Sequence, residues 1–196
     1  MKRRQTLLLH VGIALALAAA LTGTPTAQSG GEPETFTALA VNMGNVGPSQ
    51  PTTVDITIAR WSTDDERTRL VTTLVEQGAA ALLEALRENQ PVGRIRTPDS
   101  VGYELRYAHQ SPHEGGGRRI VIATDRPIGF WEARERPRTA EYPFTVIEMR
   151  INPNGKGEGK LSLATKVVPV GKTIYLEDYA TQPVMLTNVQ ARKRAR

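Results

Sequence analysis

The segment ATDRPIGFWEARERPR (residues 123–138) sets Phe130 and Trp131 among Asp125, Arg126, Glu132 and Arg134. Aromatic rings beside arginines are the side-chain chemistry of an interaction surface. The rings give rigid apolar area, and a guanidinium holds a carboxylate or phosphate in a fixed geometry. Alternating stretches on either side add Arg106 and Glu148. Contacts to a ligand or partner are therefore expected from Arg106, Asp125, Arg126, Phe130, Trp131, Glu132 and Glu148. A Phe-Trp pair equally suits a core, and strand carboxylates equally suit cross-strand pairs with Arg60, Arg106, Arg126 and Arg150.

Other chemistries find less support. Two carboxylates can hydrolyse a glycosidic bond when one stays protonated and the other ionised. Asp55, Glu104, Asp125, Glu132 and Glu148 lie in or beside strands, but alternation alone brings no two of them together. His109 and His113 are spaced H-x-x-x-H, which on a helix would let them share a metal. Ser111-Pro112 and the following glycines favour a turn instead, so no metal or cofactor is expected. There is no cysteine and no G-x-S-x-G elbow for nucleophilic catalysis. NGKGEGK (154–160) fails as a phosphate loop. Asn154 replaces its first glycine and Leu161 its metal-binding hydroxyl, which leaves a hairpin turn.

The address is clearer than the chemistry. Lys2-Arg3-Arg4, the apolar run Leu7–Leu21 and the small-residue stretch TGTPTAQS form the three-part pattern of a secretory signal peptide. The run has fifteen residues, short of the roughly 20 needed to span a bilayer. Cleavage is expected after Ala27, with Ala20 as the alternative. No transmembrane segment is expected afterwards. The formal charge of +5 belongs to the two ends. Residues 28–191 carry 18 basic and 20 acidic side chains, a net of −2. Such a domain is a poor polyanion binder, so specific nucleic-acid binding is not expected.

The elements that must position these groups read as strands around one early helix. Residues 36–43 and 52–61 are strand-like, the second with Val54, Ile56 and Ile58 on one side. Thr63 and Glu66 have capping-box spacing, and Leu70, Val71, Leu74 and Val75 form an apolar stripe. Gln77-Gly78 breaks it, and Leu82, Leu83 and Leu86 resume it. Residues 101–109 and 118–125 form a hairpin through HEGGG. Residues 142–151 put Phe144, Val146, Glu148 and Arg150 on one side and Thr145, Ile147, Met149 and Ile151 on the other. Residues 160–168, 172–178 and 183–189 complete the set.

The expected class is α+β. It is a large, curled, mainly antiparallel sheet or partly closed barrel of seven to eight strands. One early helix, or a broken helix pair, packs on a face or plugs an end. Residues 35–190 make one domain, between a disordered lead (28–34) and a basic tail (191–196). The expected function is non-catalytic binding of a small molecule or an exported protein. A carboxylate-based hydrolase and an assembly component pairing through a sheet edge are the alternatives.

Overall fold

Alternating burial along the strands builds the wall of a nearly closed barrel. The computed structural model describes residues 31–42, 51–128, 144–163, 166–170, 173–177 and 184–193. In chain order the elements are β1 (Glu34–Asn42), β2 (Thr52–Ile58), α1 (Asp64–Glu88), β3 (Gly93–Arg96), β4 (Tyr103–Leu105) and β5 (Tyr107–Pro112). They continue with β6 (Arg118–Ala123), β7 (Thr145–Ile151), β8 (Lys156–Leu163), β9 (Lys166–Val170), β10 (Thr173–Glu177) and β11 (Val184–Lys193). Among the described residues nine strands form one sheet in the order β4-β3-β2-β1-β11-β8-β7-β6-β5, and β9 and β10 pair separately. Every pairing is antiparallel. Phe36, Ile56, Ile58, Ile95, Leu105, Ile120, Ile122, Ile147 and Met149 are fully buried in one core along the inside of this wall.

The two edge strands, β4 and β5, are joined by the single residue Arg106, so the sheet curls back on itself. Leu105 and Ala108 both enter the inner core, whereas Tyr107 packs outside. The chain therefore gains a residue at Arg106, as at a β-bulge, and bends there. The Arg106 N–H still donates to the Ala123 carbonyl at 2.9 Å. Beyond β2, Ser62 and Ala108 close the gap: the Ser62 N–H donates to the Ala108 carbonyl at 2.7 Å, and the Ala108 N–H to Ser62 Oγ at 3.1 Å. The bend and the short β3 add two strands to the expected set, and the expected strand 172–178 leaves it to pair as β10 with β9, so the large sheet has nine strands rather than seven to eight. β1 begins at Glu34 and β11 runs to Lys193. The sheet thus takes in one residue of the expected lead and three of the expected tail, because Glu34 pairs with Lys193 and Thr35 with Arg192.

α1 starts where the sequence places it. Thr63 Oγ1 accepts from the Glu66 N–H at 3.1 Å, and Glu66 Oε2 accepts from the Thr63 N–H at 2.8 Å. This reciprocal cap satisfies donors that the first turn leaves open. Gly78 lies at φ 83°, ψ −174°, a conformation open almost only to glycine, and kinks the helix into two halves. Leu70 and Leu74 before the kink, and Leu82, Leu83, Ala85 and Leu86 after it, pack against Tyr107, Ala123, Phe144 and Val146 on the outside of the barrel. The helix covers the outer face of β5–β7 rather than plugging an end. Among the described residues no helix is long and apolar enough to cross a membrane.

One barrel end is bridged by charge. Arg118 on β6 reaches across to Glu34 on β1 with two bonds of 2.8 and 2.6 Å. It also donates to Gln110 Oε1 at 2.9 Å, and its guanidinium carbon lies 5.6 Å from the Phe36 ring centroid. Glu34 is 5% exposed, so this fork takes the place of water around its carboxylate.

Candidate functional site

The expected site residues divide into two groups. The bulge sets Arg106 on the outer face, between β6 and the C-terminal end of α1. Its Nε donates to Asp125 Oδ2 at 3.1 Å, and one terminal nitrogen to the Asn89 carbonyl at 3.0 Å. The other terminal nitrogen pairs with Glu104 at 3.0 Å. Arg126 holds the second Asp125 oxygen at 3.0 Å. Asn89, the helix C-cap, donates to the Arg106 carbonyl at 3.3 Å and accepts from Arg69. Arg106, Asp125 and Arg126 thus meet, but they bind one another and the helix end. The cluster ties α1 to the bulge.

Glu148 lies in a separate group on β7, where Arg119 donates to both its oxygens at 3.0 and 3.2 Å and Arg150 to one at 3.4 Å. Burial raises the pKa of both Asp125 and Glu148. The bonds and charges of Arg126 and Arg106 on the first, and of Arg119 and Arg150 on the second, outweigh it and hold both below their usual range. Neither carboxylate is the protonated acid that glycosidic chemistry needs. Phe130, Trp131 and Glu132 lie outside the described residues.

The remaining motifs resolve locally. His113 sits at the turn between β5 and β6, and His109 Nε2 lies 3.2 Å from Asp64 Oδ1. Among the described residues no group of three or more ligating side chains is placed to hold a metal. NGKGEGK turns from β7 into β8, with Gly155 at φ 75° and Asn152 Oδ1 accepting from the Asn154 and Lys156 N–H groups at 3.0 Å each. Trp61 is 5% exposed and donates to the Glu32 carbonyl at 3.1 Å, a structural role.

What sequence reasoning missed is a slot between the kinked helix and the barrel. Leu70, Leu74, Leu82 and Leu86 form its roof, and Tyr107, Val121, Ala123, Phe144 and Val146 its floor. Its volume is about 40 Å³, it is partly open to solvent, and Arg67 also lines it. Two of these leucines precede the Gly78 kink and two follow it, so both half-helices line the gap. Burial pushes the Tyr107 hydroxyl well above its usual range and keeps it protonated. The Tyr107 and His109 rings are stacked at 6.3 Å and 4°. Burial also lowers the pKa of His109, against the raising effect of Asp64. The chemistry available in the slot is apolar contact. One sequence signal pointed to it: Phe144 and Val146 lie on the face that Glu148 and Arg150 make polar, so that face needed a cover. No family model, curated protein or solved structure matches the chain, so geometry alone carries the functional reading.

Proposed function

We propose that this chain is an exported, non-catalytic binding domain whose site is the slot between α1 and the outer face of β5–β7. The observation that carries the reading is an apolar gap of about 40 Å³ between α1 and the sheet, with Arg67 among its lining residues. A binding pocket combines an apolar lining with a few convergent polar groups. This gap takes roughly three water-sized groups, so the ligand offers a short apolar end, whether from a small molecule or from a side chain of an exported protein. Export rests on the three-part leader, and cleavage after Ala27 leaves a chain beginning at Gln28. The ionised state of Asp125 and Glu148 weighs against a carboxylate-based hydrolase.

Native mass spectrometry of the chain from an exporting host tests the reading. The expected species starts at Gln28 and carries extra mass that Ala123→Val removes. Equal bound mass in both proteins would move the site elsewhere. A chain retained in the cytoplasm with its leader intact would overturn export.

A further inference from the structure

We infer that the slot takes an amphipathic monocarboxylate, its short apolar tail among the leucines and its carboxylate on the Arg67 guanidinium. This rests on the slot being the binding site. The slot surface is hydrocarbon throughout, and among the described residues that line it Arg67 alone carries a charge, so it is the destination they offer a ligand's charged group.

The charged groups around that end differ in availability. Asp64 is engaged by His109. Glu66 takes both terminal nitrogens of Arg60 at 3.0 Å each. Glu148 stands across Val121 in the β6–β7 register and is held by Arg119 and Arg150. The Arg67 guanidinium has no hydrogen-bonded or ion-paired partner among the described residues, and the side chain lines the slot. Its charge already acts on this end, opposing the rise that burial imposes on the Tyr107 pKa and adding to the fall that burial imposes on that of His109. A guanidinium holds a carboxylate through two parallel N–H bonds, which a hydroxyl cannot reproduce. The slot's volume limits the tail to a few carbons before the helix must move.

Calorimetric titration of the full chain with propanoate, pentanoate and 1-pentanol tests this. Affinity should rise about fourfold for each added methylene that enters the slot. Pentanoate should bind at least ~10-fold more tightly than 1-pentanol, the scale of a charge-assisted bond. Arg67→Gln should abolish that preference, and Arg67→Lys should keep part of it. Circular dichroism checks the fold of each variant. Equal binding of pentanoate and 1-pentanol, or a preference unchanged by Arg67→Gln, would overturn the inference. If both compounds bind equally and Ala123→Val weakens both, the slot stands and the carboxylate preference falls. If neither binds, both readings fall.

Discussion

Filling the slot separates a working void from ordinary packing. Ala123 lies on its floor, is 7% exposed and ends β6. Ala123→Val adds two methyl groups, and a β-branched side chain suits a strand. A void costs about 24 cal/mol per Å³ of residual volume. The 40 Å³ present here therefore corresponds to about 1 kcal/mol. The slot opens to solvent on one side, so the methyls recover about 0.5–1 kcal/mol. The midpoint of thermal unfolding should rise by about 1–4 °C. Urea unfolding followed by circular dichroism reads the free energy, and calorimetry with pentanoate reads binding. The variant should be more stable while binding at least ~10-fold more weakly, the opposition expected where function needs an unfilled site. A loss of ~1 kcal/mol or more would refute the reasoning, because it would mean that the methyls overpack side chains already in contact.

Three further outcomes follow from the same structure. Arg118→Met should cost about 3 kcal/mol in urea unfolding, since it strands the buried Glu34 carboxylate, whereas Glu34→Leu with Arg118→Met should recover most of that. Gly78→Ala should cost about 1–3 kcal/mol from its backbone conformation alone, because a Cβ there meets nothing within 4 Å; unchanged stability would show that the kink is not required. His109 has a pKa below the ordinary 6.5, so the unfolded chain binds its proton first. The associated stability is complete above that value and is lost as pH falls from it toward the folded-state pKa, a slope that His109→Gln should remove. Glu66, Asp125 and Glu148 are also lowered, and their contribution is lost in a separate window, as pH falls below their ordinary values of 4.5, 3.8 and 4.5.

Much of the local structure was legible because local rules decide it. The Thr63–Glu66 cap, the Gly78 break, the 107–123 hairpin and the turn at Asn152–Gly155 each depend on residues a few positions apart. The alternation of residues 144–151 correctly separated Ile147 and Met149 from Glu148 and Arg150. The candidate site was legible only in part. Arg106, Asp125 and Arg126 do converge, but the carbonyl that engages Arg106 belongs to Asn89, at the far end of the helix. Arg67 and Val121 gave no motif, because a slot is a property of the gap between two elements.

The sequence by itself determined an α+β chain with a capped, broken helix, antiparallel hairpins and a cysteine-free core. Periodicity, caps and turns act within a few residues, so they need no knowledge of distant chain. Only the tertiary structure decided that β4 and β5 meet at Arg106 and that α1 lies outside the barrel. It alone decided that Glu34 finds Arg118 across 84 residues and that two half-helices leave a slot above β5–β7. These are long-range outcomes, set by which apolar faces can be buried together and which buried charges can be paired. No local pattern encodes that choice.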